Sequence, residues 1–350
     1  MGHFIMYHPF FVVILILFLS LSRLTCPATA AIITFGSGAN EFDIEFVDIG
    51  NVGNLDDNTG IPRGVGKVDY GYRIAKHETS WDMVNKFNGS QDLTITLDNR
   101  DPDKPSTRID WNEAARFVNW LNTSEGYQAA YRFDTDGIDD NLSVWDSNEA
   151  WQVGGENLFR HKNAKYWLPS VDEWYKAAYY DPNTSSYYDY PTLSGTIPTA
   201  VSGGTGANTA VYDQSLTSGP ANVTEAGGLS AYGVMGLGGN AMEWNETSSD
   251  RTNSSGDLAR IYRGGKWYSS SATHLGSSSA FEVSPTSGSY GMGFRVASSG
   301  ISGDSSASNA TVPEPNSLAI WSVVSIGVLR RRRRKKLRSR NGASHTPSVI

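Results

Sequence analysis

Few side chains in this chain could serve as nucleophiles, redox groups or soft metal ligands. There is one cysteine, Cys26, and it lies in an apolar N-terminal stretch. Away from the termini the only histidines are His77, His161 and His274. They are far apart, and no H-x-x-x-H or H-x-H spacing puts two imidazoles on one helix or strand face, so no zinc or iron site is signalled. The many Asp and Glu side chains are hard oxygen donors, which suit divalent cations or a soluble, displayed surface.

The two ends bear on where such chemistry could act. Residues 10–19 form an almost unbroken apolar run, too short for a spanning helix of about 20 residues. Ala28-Thr29-Ala30 then has the A-x-A form of a signal-peptidase site. Residues 1–30 therefore read as a signal peptide that carries Cys26 away. Arg23 stands three positions before Cys26, where a lipoprotein anchor needs an aliphatic residue. At the other end, Val312-Pro313-Glu314-Pro315 precedes an apolar stretch at 318–329, a basic cluster at 330–336, and Arg338 and Arg340. An apolar run stopped by a basic cluster keeps the basic block on the cytoplasmic side. That run is short for a transmembrane span. The order of parts over 312–340 resembles the PEP-CTERM sorting signal of Gram-negative bacteria, which exosortase-type transpeptidases recognise and remove. A polar end at 341–350 departs from that pattern, and a plain single-span anchor is the alternative. Without both ends, 19 basic residues face 35 acidic ones, a net charge near −16. Such a domain repels phosphate backbones, which argues against nucleic-acid binding.

The elements that must position any site are legible in part. Asp110 is placed to cap a helix over 111–122, with Glu113 completing a capping box. Ala114, Phe117, Val118 and Leu121 then make one apolar stripe. Ser170 and Glu173 repeat the box before Trp174, Ala177 and Ala178, and Asp181-Pro182 ends that helix. A shorter helix is predicted over 80–87, after a strand over 72–76. Further strands are predicted at 187–188, 261–262 and 293–296. Ten Trp and seventeen Tyr can fill a core without disulfides, while 36 Gly imply that loops wrap much of it. The expectation is an α+β domain, irregular and loop-rich, over 31–299, followed by a Ser/Gly-rich linker at 300–311.

Six blocks in order carry a resemblance. They are Tyr72-Arg73-Ile74-Ala75-Lys76-His77-Glu78-Thr79, Arg108-Ile109-Asp110-Trp111-Asn112-Glu113-Ala114, and Tyr166-Trp167-Leu168-Pro169-Ser170-Val171-Asp172-Glu173-Trp174. Gly238-Gly239-Asn240-Ala241-Met242-Glu243-Trp244, Arg263-Gly264-Gly265-Lys266-Trp267 and Gly293-Phe294-Arg295 follow. Together they resemble the formylglycine-generating enzyme, or sulfatase-modifying factor, family, with Trp167 where that family usually has Arg. The resemblance implies a C-type-lectin-like fold poor in regular structure. Physically, the paired glycines suit close backbone approach, and Trp111, Trp174, Trp244 and Trp267 suit a core. Arg295 suits a buried hydrogen-bonding hub or an ion pair.

The resemblance also implies chemistry, and the residues depart from it. Family members oxidise a sulfatase cysteine with molecular oxygen at two cysteines that bind copper(I). Those positions fall at Ser269 and His274 here, and Lys266 replaces a serine nearby. A cysteine-free domain cannot build a two-sulfur copper site, since copper(I) prefers thiolate. A Ser269–His274 nucleophilic pair lacks a recognisable acid partner or oxyanion motif. The related iron-dependent sulfoxide synthases rely on histidine ligands in an added N-terminal domain, absent here. A structural calcium is implied at Gly236, Gly239, Ala241 and Glu243; Gly236 offers no side-chain oxygen, so water or neighbours such as Asp250 would complete the shell. The expected function is an exported, non-catalytic binding or structural module, a pseudoenzyme, sorted by exosortase-type machinery and held to the membrane by its tail. The alternatives are protein-cysteine oxidation, altered metal-dependent chemistry at the same pocket, and binding of a protein or glycan ligand by analogy of fold. If the ends are read correctly, N-terminal sequencing of the exported protein begins at Ala31 and the protein reacts with no thiol reagent; a labelled Cys26 in it would overturn that reading.

Overall fold

Two capping boxes and a single serine cap start the three helices. The computed structural model describes residues 30–135 and 142–300; the signal segment with Cys26, the linker beyond Gly300 and the tail at 312–340 lie outside the described residues. The helices are α1 (Trp81–Asn88), α2 (Trp111–Ser124) and α3 (Val171–Tyr179). Ser80 Oγ accepts the Met83 N–H at the start of α1. Asp110 and Glu113 exchange hydrogen bonds of 2.8 and 2.9 Å at the start of α2. Ser170 and Glu173 do the same at α3, at 3.2 and 2.6 Å. Each box satisfies two N–H groups that a helix start leaves without partners. α2 buries Ala114, Phe117, Val118 and Leu121, the predicted stripe. It runs past the expected end at 122 because the Asn122 amide is buried: it donates to Val118 O and Tyr166 O and accepts from the Lys165 and Tyr166 N–H groups.

The strands form two main sheets. Apart from short two-residue pairs such as Ser186–Tyr187 with Tyr180–Asp181, in chain order they are β1 (Ala31–Phe35), β2 (Phe42–Ile49), β3 (Tyr72–Ala75), β4 (Ala150–Trp151), β5 (Asn157–His161), β6 (Tyr166–Trp167), β7 (Met242–Ser248), β8 (Arg260–Arg263), β9 (Phe281–Val283), β10 (Met292–Gly293) and β11 (Ala297–Ser299). One sheet has the order β1-β2-β3-β11-β6 and is antiparallel throughout. The other has the order β9-β8-β7-β10, with only β7 and β10 parallel. β4 and β5 form a separate hairpin. The expected strand over 293–296 is corrected: Gly293 belongs to β10, but residues 294–296 belong to no strand. They carry the chain from one sheet to the other, and their carbonyls turn instead to the Thr79 and Ala75 N–H groups at 2.9 and 2.7 Å.

Indoles fill the space between these layers. Trp111, Trp167, Trp174, Trp244 and Trp267 are all fully buried. Each indole N–H finds an acceptor: Asn245 O, Glu173, Glu243, Ile109 O and Leu216 O in turn. Apolar plates with a satisfied polar edge suit a core that must also meet loop carbonyls. The glycine pair before Asn240 permits one close approach. Gly239 has φ +84°, and a Cβ there would lie 2.2 Å from Val211 O. No helix among the described residues is long and apolar enough to cross a membrane. Replacing Trp244 by Ala should cost about 3–5 kcal/mol in urea unfolding, whereas Ile32→Ala on the exposed edge of β1 should stay within about 0.5 kcal/mol.

Candidate functional site

Of the positions aligned with the family's cysteines, Ser269 is buried and His274 is half-buried. The Ser269 Oγ accepts the Lys266 N–H at 3.1 Å and its carbonyl accepts the Asp213 N–H at 2.9 Å. His274 sits in a short 3-10 turn, Ala272–Leu275, with its ring edge-on to Phe281 at 5.6 Å. No hydrogen bond joins Ser269 to His274 or brings an acid to the imidazole. The Lys266 ammonium lies 4.2 Å from the centre of the Tyr268 ring, and its methylenes pack so tightly on Gly291 that a Cβ there would meet Cδ at 2.6 Å. This region holds a side-chain-filled turn with no convergent polar groups.

Three of the four residues expected around calcium, Gly236, Ala241 and Glu243, border one buried polar knot. Glu243 is fully buried, and both of its oxygens face donors. Arg295 Nε and Trp174 Nε1 each reach Oε2 at 2.6 Å, and Arg295 Nη2 reaches Oε1 at 2.6 Å. Gly236 packs on the Glu78 carboxyl, and the Ala241 N–H donates to Glu78 Oε1 at 2.9 Å. Asp250 turns away to Ser248 and Thr252. A cation needs oxygens facing inward, and here the one carboxylate of the set already neutralises a guanidinium. Of the expected ligands, the Glu243 carboxylate is therefore already committed to Arg295 and Trp174. Among the described residues no three Asp, Glu, His or Cys side chains converge on a metal position. His77 and His161 are also apart, bonded to Val223 O and Glu149 respectively.

The knot contains two carboxylates and one guanidinium. Glu78, also buried, accepts from Asn240 Nδ2 at 2.6 Å as well as from Ala241. Burial, reinforced by Glu243 and opposed by Arg295, pushes its pKa up to about 8 from 4.5. A second buried group, Lys176, is pushed down to about 7 by burial, but its Nζ donates to Asn51 O at 2.9 Å and it lines none of the three clefts found. Because the folded state favours neutral Glu78, its contribution to stability is complete below pH 4.5 and lost as pH rises through about 8.

A polar cleft of about 200 Å³ lies elsewhere, between residues 67–70, the β4–β5 hairpin, the start of α3 and the loop after β7. Its floor is a buried ion cluster. Arg160 directs Nε and Nη2 to Glu246 at 3.0 and 2.6 Å, and Nη1 and Nη2 to Glu173 at 3.2 Å each. Tyr70 OH donates to Glu173 at 2.6 Å, Tyr131 OH to Glu246 at 3.0 Å, and Asn157 Nδ2 to Glu246 at 2.5 Å. Trp167 Nε1 donates to Glu173, and the Arg160 guanidinium lies 4.3 Å from the Trp167 ring centre. The guanidinium missing from position 167 thus arrives from β5. The rim holds Asp172, Arg251, Tyr70 and Trp151. None of these was singled out from sequence. The visible signals were Arg160 inside an otherwise strand-like run and Asp172 inside the second capping box. Two other clefts exist, one of about 310 Å³ with Ile32, Ile44 and Met83 in its walls and one of about 460 Å³ beside Arg108 and Glu113. None of the three is lined by Ser269, His274 or Lys266. From the Glu78 geometry, Glu78→Gln should lessen the fall in Tm between about pH 5 and pH 9 relative to wild type; an equal fall in both proteins would refute the assignment.

Comparison with known proteins bears on the whole domain. The profile of the sulfatase-modifying factor enzyme 1-like domain matches residues 56–299. A search of curated proteins gave no match. Among solved structures, Treponema denticola variable protein 1 superposes with a TM-score of 0.52 at 18% identity, covering 77% of this chain and 99% of that one. A crystal structure of CarF gives 0.48 at 16% identity, covering 74% and 99%. PvdO from Pseudomonas aeruginosa gives 0.46 at 14%, covering 76% and 97%. The mixed α+β, loop-rich architecture is that of the C-type-lectin-like fold, and the chain belongs to the family of sulfatase-modifying factor enzyme 1-like domains.

Proposed function

We propose that this protein is an exported, non-catalytic binding or structural module that uses a family scaffold without the family's oxidation. The observation that carries the proposal is the turn around Ser269 and His274: the region aligned with the family's reactive centre has no thiolate, and its serine, held by the Lys266 N–H, shares no hydrogen bond with the imidazole. Two-coordinate copper(I) chemistry needs sulfur donors that a serine and an imidazole do not replace. Export rests on the signal at 1–30, and sorting by exosortase-type machinery on the tail at 312–340; both are read from sequence. The binding surface we assign is the cleft above Arg160, because its floor is rigid and its rim is polar and aromatic.

Two measurements on the full chain test this. The purified protein, with added copper and oxygen, should produce no aldehyde on a sulfatase-type cysteine peptide; aldehyde formation would overturn the non-catalytic reading. It should bind envelope or matrix fractions of a Gram-negative host, with Arg251→Ala or Asp172→Asn weakening that binding about tenfold. Undiminished binding by both variants would remove the cleft from the proposal.

A further inference from the structure

The hydrogen-bonding capacity left open in the cleft is specific enough to name a ligand class. Most of the charges there are paired with one another. Lys67 meets Asp69 at 3.2 Å, Arg251 stands 3.7 Å from Asp172, and Arg160 lies between Glu173 and Glu246. An anion entering this space would meet an acidic excess, since Arg160 faces two carboxylates and Glu156 in the lining has no cationic partner among the described residues. What remains is a set of hydroxyl-sized partners. Ser170 Oγ and Thr247 Oγ1 each accept a main-chain N–H of α3, at 3.2 and 2.9 Å, and each retains its own hydrogen to donate. Asp172 Oδ1 accepts the Gly66 N–H at 2.8 Å, while Oδ2 has no protein partner. Arg251 donates through Nη1 and Nη2 to Arg63 O and Gly64 O, which leaves three of its five N–H groups, the Nε–H among them, unused.

Donors from two hydroxyls and a guanidinium, with the Asp172 carboxylate as acceptor, match vicinal alcohols, whose O–H groups donate to an acid and accept from neighbours. Tyr70 and Trp151 line the same cleft with aromatic carbon that suits the C–H surface of a sugar ring. The volume of about 200 Å³ is below the range of drug-sized pockets, so the space fits one ring. The groups are held in place. Tyr70 is fixed through Glu173, Arg251 through two carbonyls, and Ser170 and Thr247 through the start of α3.

We infer that this cleft binds a neutral, polyhydroxylated ring, such as the terminal pyranose of a glycan, with Asp172 as acceptor and Arg251, Ser170 and Thr247 as donors. The inference rests on the reading of this cleft as a binding surface. The test uses the full chain with an array of neutral glycans ending in glucose, mannose, galactose or N-acetylglucosamine, followed by titration of the free sugar by NMR, with phosphate and sulfate as anion probes. At least one neutral sugar should bind, and Asp172→Asn should weaken it about tenfold or more. That variant keeps the Gly66 contact through Oδ1 and replaces only the open acceptor. Arg251→Ala and Trp151→Ala should weaken binding too, His274→Ala should not, and Tm measured on every variant identifies any that fails to fold. Binding of phosphate or sulfate in preference to every sugar would overturn the inference, as would sugar binding unaffected by Asp172→Asn. If all sugars fail while binding to envelope fractions still depends on Asp172, the sugar assignment falls and the module stands; if both fail, both fall.

Discussion

The fold depends on the guanidinium of Arg295. It lies on the segment that crosses from one sheet to the other, and all its donors are used within the protein. Nη1 reaches Ala75 O and Lys76 O at 2.9 and 3.3 Å, and Nη2 reaches Met235 O at 2.8 Å, while Nε and Nη2 hold Glu243 on β7. Trp174 on α3 donates to the same carboxylate. One side chain thus joins the end of β3, the loop at 235, the second sheet and the third helix. Such a pair is costly to desolvate and would be worth little in net stability against an apolar replacement. Its effect is on geometry: a planar fork of donors accepts few arrangements of carbonyls and carboxylate. Short strands and long loops have little regular hydrogen bonding to define them, so fixed polar knots of this type set where the loops lie.

Arg160 repeats the arrangement on the other side of α3, and there the knot borders solvent. Glu173 serves two structures at once. Its Oε2 closes the capping box of α3, and both oxygens receive Arg160, Trp167 and Tyr70. The departure from the family pattern at Trp167 is absorbed locally, because the indole N–H keeps a donor in place and β5 provides the positive charge. Another buried arginine, Arg260, lies 4.4 Å from the Phe159 ring and 4.6 Å from the Trp111 ring, so aromatic faces flank the cations in this part of the core. The cleft floor is rigid for this reason, and a rigid floor under open hydrogen-bonding groups is what a binding surface needs.

Ser269 at the family's reactive position and Glu243 of its calcium loop meet the same outcome for one physical reason. Both lie in short polar segments next to glycine pairs, and both now serve packing. Ser269 ties a turn together, while Glu243 neutralises Arg295.

Much of the fold was legible in the sequence where the signal is local. The capping boxes at Asp110 and Ser170, the stripe on α2 and the buried tryptophans follow from propensity, spacing and apolar area, and six ordered blocks pointed to the family. The absence of thiolate from residues 31–300 is also a sequence fact, fixed by composition alone. The split of the expected strand at 293–296 was not legible, because a crossing between sheets depends on where two distant layers sit. Nor was the cleft: Tyr70, Trp151, Asp172 and Arg251 come from four separate stretches, and their unused donors and acceptors can be recognised only once every other bond is placed. Sequence determined which groups exist and which helices start where; tertiary structure decided which carboxylates are neutralised inside the core and which remain free to meet a ligand, because that depends on burial and on partners far along the chain.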